Sequence, residues 1–166
     1  MLKSQIVQIQ INRPYSETYR IVSKPENFPR WSPVLEPRFE PRGNNGLDWL
    51  IELPTGTHVI SFSPPNDYGV LDYTVIPEDG APSRTTRVRL VPNEEGCELI
   101  ILFFRHPSLT DEAFASYIEW AKTDFMTLKS VVEYETRSLA MAGKIGRGDA
   151  RENAVAAGEC MKARLQ

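Results

Sequence analysis

Cysteine and histidine are scarce in this 166-residue chain, and their scarcity excludes several kinds of site. The two cysteines, Cys97 and Cys160, are too few for a disulfide framework and favour a reducing compartment. The two histidines, His58 and His106, lie far apart, without a cysteine pair or an HxxxH spacing. We therefore expect neither a metal site nor a cofactor.

A dominant charge and a long apolar run are missing as well. The balance of 19 Lys and Arg against 22 Asp and Glu gives a net charge of −3, which argues against nucleic-acid binding. The longest purely apolar run, Leu99–Phe104, has six residues, whereas a bilayer span needs about 20. The first ten residues alternate polar and apolar and do not resemble a signal peptide. We expect a cytoplasmic protein without an integral membrane segment.

The first 31 residues predict a strand followed by two short helices. Residues Gln5–Ile11 alternate between aliphatic and polar, as a half-buried strand does. Pro14 opens a helix over Tyr15–Val22, since proline is tolerated in a first helical turn. Pro25 ends that helix and begins a second short helical segment, Pro25–Trp31.

The middle of the chain predicts an antiparallel meander of strands and turns. A hairpin joins Leu47–Leu53 to His58–Ser63 through a four-residue connection. Further strands follow at Val70–Ile76, Thr85–Val91 and Cys97–Phe104. The expected cross-strand pairs of the hairpin are Leu53 with His58, Ile51 with Ile60, and Trp49 with Phe62.

A long helix follows, because Asp111–Met141 contains neither proline nor glycine. Thr110 is a natural N-cap, and Gly143 is a natural stop. One apolar stripe recurs at three- and four-residue steps; it consists of Phe114, Ile118, Ala121, Phe125, Leu128, Val132 and Leu139. The domain thus covers residues 1–142, and the tail 143–166 is either a short extra helix or an appendage. The expected class is α+β, with a curved antiparallel sheet of about six to seven strands around the helix.

Two segments resemble a known superfamily. They are IQINRPYSETY, residues 9–19, and PENFPRWSP, residues 25–33. Both resemble the START-like or SRPBCC superfamily, which includes polyketide cyclases/dehydrases, lipid-transport proteins and Bet v 1-like helix-grip proteins. The resemblance covers roughly residues 5–141, and it departs from the usual pattern at Tyr19 and Lys24. It implies the helix-grip fold and a hydrophobic cavity for lipids, polyketides, or aromatic or isoprenoid molecules.

The candidate ligand-binding residues lie on the facing stripes of the sheet and the long helix. Ordinary core packing is the alternative interpretation for the aromatic members. His58 and Tyr73 are also candidates for proton transfer, although His58 alternatively lies half-solvated at a hairpin end. The full set is Trp49, Ile51, His58, Ile60, Phe62, Tyr73, Val88, Leu90, Phe114, Ile118, Phe125 and Leu128.

Three functions fit this prediction. The preferred one is binding or carriage of a small to medium hydrophobic ligand without chemistry. The first alternative is a cyclase- or dehydratase-like enzyme that uses His58 or Tyr73, and the second is a protein-partner module. Because both faces of the last strand are apolar, Ile100, Leu102 and Phe104 need a cover. A second copy of the chain is preferred, as a homodimer, over the tail with Val155, Met161 and Leu165.

Overall fold

The computed structural model describes residues 1–32, 38–53 and 55–142, with side chains of the last helix up to residue 134. The helices are α1 and α2, and a 3₁₀ helix lies between α1 and the second strand. In chain order the elements are β1 Ser4–Ile11, α1 Tyr15–Val22, the 3₁₀ helix Pro25–Arg30, β2 Phe39–Pro41, β3 Asp48–Leu53, β4 Gly56–Phe62, β5 Tyr73–Pro77, β6 Arg84–Asn93, β7 Gly96–Phe104 and α2 Asp111–Ala142.

The strands form one antiparallel sheet in the order β1-β7-β6-β5-β4-β3-β2. Strands β2 to β7 follow one another as a meander, and β1 closes the sheet by pairing with β7. In β1, buried and exposed residues alternate as the sequence pattern predicts, and the buried ones are Val7, Ile9 and Ile11. The sheet has seven strands, so the predicted antiparallel sheet of about six to seven strands and the long C-terminal helix are confirmed.

Helix α2 buries the predicted stripe against the sheet. Phe114, Ile118, Ala121, Phe125, Leu128 and Val132 are all buried. The Thr110 hydroxyl accepts the Ala113 backbone N–H at 3.1 Å, which is the expected N-cap. The predicted stop at Gly143 and the tail lie outside the described residues, as does the side chain of Leu139. No helix in the described part of the chain is long and apolar enough to cross a bilayer.

The concave side of the sheet divides into two regions. The covered half consists of β1, β7 and β6 with α1 and α2, and its buried residues form one continuous apolar cluster. The aromatic half is the concave face of β2 to β5. Its apolar cluster has two buried members, Ile51 and Ile60, surrounded by partly exposed side chains. Those side chains are Phe28, Phe39, Trp49, Leu53, Phe62, Tyr73 and Val75.

The hairpin register differs from the prediction by two residues. Ile51 pairs with His58, and Leu53 pairs with Gly56, where the prediction opposed Leu53 to His58. Only two residues separate Leu53 from Gly56, where the prediction had a connection of four. Gly56 adopts φ +110°, a backbone angle that favours glycine. The same residues nevertheless face inward, because a two-residue shift preserves side-chain alternation.

Strand β5 is shorter than predicted and begins at Tyr73 rather than Val70. Before it, Gly69 approaches β6 so closely that a Cβ atom would lie 2.1 Å from the Leu90 carbonyl oxygen. Its φ of +67° also suits glycine. Val70 is left with an isolated bridge to Arg89 instead of a continuous ladder.

Candidate functional site

Phe28 occupies the centre of an aromatic cluster that covers the aromatic half. The 3₁₀ helix places its ring 5.2 Å from Tyr73 and 5.3 Å from Phe62, both in edge-to-face geometry. Phe39 stacks on Phe28 at 6.4 Å and on Trp49 at 4.6 Å. Edge-to-face and stacked pairs at these distances are favourable contacts, so the rings form one connected surface.

A small cavity lies beside this cluster, under the 3₁₀ helix. Its volume is about 30 Å³, which is room for about one water molecule. Five of the predicted ligand-binding residues line it, namely Phe62, Tyr73, Val88, Phe125 and Leu128. The remaining lining residues are Val22, Ser23, Phe28, Trp31, Ser63, Leu71, Asp72 and Leu99.

The other predicted ligand-binding residues lie elsewhere on the concave side. Trp49, Ile51 and Ile60 belong to the aromatic half without lining the cavity. The covered half encloses Leu90, Phe114 and Ile118 in its closed core.

His58 is buried, with 3% of its surface exposed, and is held by its own turn. Its Nδ1 lies 2.7 Å from the Gly56 carbonyl oxygen, and its Nε2 lies 3.3 Å from the Thr55 hydroxyl. Because a carbonyl only accepts, Nδ1 carries a proton and donates it to Gly56. Both ring nitrogens are therefore engaged in the β3–β4 turn, away from the cavity.

Tyr73 directs its hydroxyl into a small polar cluster between the sheet and α2. Tyr73 pairs across the strands with buried Thr86, whose side chain hydrogen-bonds to both Tyr73 and Tyr117. Burial raises the pKa of Tyr73 and of Tyr117, and the Thr86 hydrogen bond opposes the rise in each case. Both phenols are therefore protonated at neutral pH and act as hydrogen-bonding groups.

Asp124 is the acidic side chain beside these phenols, and it is not among the residues predicted from the sequence. The other acid nearby, Asp72, lines the cavity and is paired with Arg87 and Arg89. The Ser32 hydroxyl donates to Oδ2 of Asp124 at 2.8 Å. Burial raises the pKa of Asp124 to about 6, and the hydrogen bond from Ser32 opposes this effect. The sequence carries a signal for it, because an acid three residues after Ala121 and four before Leu128 lies beside the buried stripe.

Metal ligands do not gather in the part of the chain that the structure describes. No group of three or more His, Cys, Asp and Glu residues there could hold an ion. Cys97 is buried and free, and its thiol lies 3.3 Å from the Thr18 hydroxyl.

On the outer face of the sheet, an apolar patch crosses β1 and β7. Ile6 is 58% exposed and Phe104 is 47% exposed, and half-buried Leu102 pairs with Ile6. Ile100 is half-buried in the same face. We refer to Ile6, Ile100, Leu102 and Phe104 as the outer patch.

Neither a family model nor a curated protein matches the chain, but solved structures do. The crystal structure of Ara h 8.0201 is 14% identical with a TM-score of 0.58, covering 80% of this chain and 98% of that one. An uncharacterised Bacillus thuringiensis protein is 13% identical with a TM-score of 0.61, covering 78% and 98%. The Aha1 dimer from Colwellia psychrerythraea is 13% identical with a TM-score of 0.58, covering 80% and 97%.

The fold is the helix-grip fold of the Bet v 1-like proteins. The likeness extends over nearly the whole length of each of these neighbours, so the predicted fold resemblance is confirmed. Within the helix-grip fold, residues of the sheet, the 3₁₀ helix and both α-helices line the cavity.

Proposed function

We propose that this protein binds a small ligand with a flat apolar group on the aromatic half. The observation that carries the proposal is the connected set of partly exposed rings around Phe28. Rings buried in a core offer no surface to a ligand, whereas these rings present faces and edges at the margin of a cavity.

The size of the cavity determines how such a ligand enters. A volume of about 30 Å³ is an order of magnitude below that of ligand pockets, which begin at about 300 Å³. The ligand therefore takes the place of the Phe28 ring, which is the aromatic side chain at the centre of the cluster and belongs to a short 3₁₀ helix. The rings of Phe62 and Tyr73, which contact Phe28, would then contact the ligand.

Binding or carriage fits these contacts better than catalysis by His58. A general base needs a free acceptor nitrogen near the reacting proton. The Nε2 of His58 is hydrogen-bonded to the Thr55 hydroxyl, and His58 does not line the cavity. We therefore propose a carrier for a lipid, polyketide, or aromatic or isoprenoid molecule, acting in the cytoplasm.

Fluorescence titration with 2-ethylnaphthalene tests this proposal. Leu71→Trp places a large ring at the cavity wall and should weaken binding at least about tenfold. Leu102→Trp makes the same change in the outer patch and should leave binding unchanged. The naphthalene emission reports the binding, and near-UV circular dichroism confirms that both variants fold. Equal binding by wild type and a folded Leu71→Trp variant would contradict the proposed site.

We also propose that the outer patch associates with a second copy of the chain. Exposed Ile6 and Phe104 on neighbouring strands favour a cover, and the solved Aha1 structure of the same fold is described as a dimer. Light scattering at micromolar concentration should give a dimer mass, and Ile6→Lys with Phe104→Lys should give a monomer. A monomeric wild type would contradict this assembly.

A further inference from the structure

An acidic group lies at the boundary between the covered half and the aromatic half. Asp124 precedes Phe125, and Ser32 follows Trp31, and both of these neighbours line the cavity. The 2.8 Å hydrogen bond from Ser32 to Asp124 joins the end of the 3₁₀ helix to α2. Neither Ser32 nor Asp124 lines the cavity itself, but the charge of Asp124 acts on the phenol of Tyr73, which does line it. Ser32 is 5% exposed, so the carboxyl group is fixed from a buried position.

We propose that the ligand is an organic ammonium ion, with its apolar part on the aromatic half and its ammonium group on Asp124. This inference rests on the proposed function and specifies its ligand class. Since the aromatic faces carry the negative part of the ring quadrupole, they attract a cation as well as apolar surface.

The charged groups around Asp124 leave its negative charge without a cationic partner in the described residues. The ion pairs between those residues do not include Asp124. The negative charge of Asp124 helps to raise the pKa of two phenols, those of Tyr73 on β5 and Tyr117 on α2. The charge of Arg84 on β6 opposes the rise in the pKa of Tyr117, and the Arg84 side chain is exposed.

An ammonium ligand compensates this charge, whereas other ligand classes do not. A carboxylate ligand would add a second negative charge beside Asp124, and a pure hydrocarbon would bury the carboxylate further without a partner. A ligand cation adds an opposite charge and hydrogen-bond donors in a site partly shielded from water.

Three naphthalene probes of the same ring size distinguish these ligand classes. They are 2-(naphthalen-2-yl)ethylammonium, neutral 2-ethylnaphthalene and 2-naphthylacetate. At pH 7.5 the ammonium probe should bind at least about tenfold more tightly than the neutral probe, and the carboxylate probe should bind more weakly than both.

Asp124→Asn should remove the preference for the ammonium probe, because it weakens binding of the ammonium probe and, by removing the uncompensated carboxylate, does not weaken binding of 2-ethylnaphthalene. The control is Glu112→Gln, which removes an exposed acid from the first turn of the same helix and should change neither affinity. At pH 5 the preference of the wild type should shrink, because Asp124 is then mostly protonated, while the probe ammonium keeps its charge.

Ser32→Ala provides a second test that keeps the carboxyl group. Loss of its hydrogen bond destabilises the carboxylate, so the pH at which the ammonium preference appears should move upward. Equal wild-type affinities for the ammonium and neutral probes would overturn the cation inference and leave the aromatic site intact. Failure of 2-ethylnaphthalene to bind wild type would instead overturn the proposed function.

Discussion

The covered half and the aromatic half belong to the same sheet but differ in how their concave faces are filled. In the covered half, α2 places a continuous stripe on β1, β7 and β6, and the apolar side chains form a closed core. In the aromatic half, rings from the sheet and one ring from the 3₁₀ helix meet, and most of them stay partly exposed. The covered half thus carries the stability of the fold, while the aromatic half retains surface for a ligand.

The largest expected effect compares one isoleucine from each half. Ile101→Ala in the covered half should lower the free energy of unfolding by about 4 kcal/mol, because the closed core relaxes little around a new cavity. Ile60→Ala in the aromatic half should cost about 2 kcal/mol, because its partly exposed neighbours adjust. Urea denaturation gives both values. Equal losses would show that the two halves are equally rigid.

A smaller effect arises at the boundary, where Asp124 carries a pKa of about 6. The ordinary pKa of an aspartate is near 4, so the folded protein holds this proton more tightly than the unfolded chain. The contribution of Asp124 to stability therefore falls as the pH rises from about 4 to about 6 and then stays constant. The free energy of unfolding of Asp124→Asn, relative to that of wild type, should therefore increase by about 2 kcal/mol as the pH is raised from about 4 to about 7.

Urea denaturation of wild type and Asp124→Asn at both pH values measures this change. The other carboxylates are the same in both proteins, so their contributions to the free energy of unfolding cancel in the difference. A difference between the two proteins that does not vary with pH would mean that Asp124 titrates normally.

Phe28→Ala should separate stability from binding. The truncation should cost about 1 to 2 kcal/mol of unfolding free energy, below the 3 to 5 expected for a fully buried phenylalanine, because Phe28 is partly exposed. It should also increase the affinity for 2-ethylnaphthalene, since the space of the ring becomes available.

The matched control for Phe28→Ala is Phe103→Ala in the covered half. Phe103 is buried, so Phe103→Ala should lower the free energy of unfolding more than Phe28→Ala does. It should not increase the affinity for 2-ethylnaphthalene. Calorimetric unfolding and probe titration of both variants make the comparison. Weaker binding by folded Phe28→Ala would indicate that Phe28 is itself part of the binding surface.

The smallest expected effect concerns the start of α2. Thr110→Ala removes the acceptor for the Ala113 N–H and should cost about 1 kcal/mol, whereas Thr110→Ser keeps the acceptor and most of the stability. Thermal unfolding followed by circular dichroism distinguishes the two variants. Probe affinity should stay constant in both, because Thr110 lies about four helical turns before Phe125, the first α2 residue that lines the cavity.

Residue periodicity predicted the elements of the covered half well. The alternation in β1 and the stripe of α2 report a single buried face, and the proline at position 14 marks the start of α1. The aromatic half was harder to predict, because the hairpin register depends on the backbone angle of Gly56 rather than on hydrophobicity. The spacing of Asp124 places it beside the apolar stripe of α2, but its contact with Ser32 and the contact of Phe28 with Tyr73 join residues distant in sequence, and no local pattern predicts such contacts.

The order of the strands has a consequence for synthesis on the ribosome. Strands β2 to β6 each pair with the strand that follows, whereas β1 must wait for β7, and Ile11 and Cys97 are 86 positions apart. At about 5 to 20 residues per second, that interval lasts roughly 4 to 17 s. During this time the apolar residues of the first strand have no sheet partner, so the nascent chain offers a binding segment to chaperones before it can close its core.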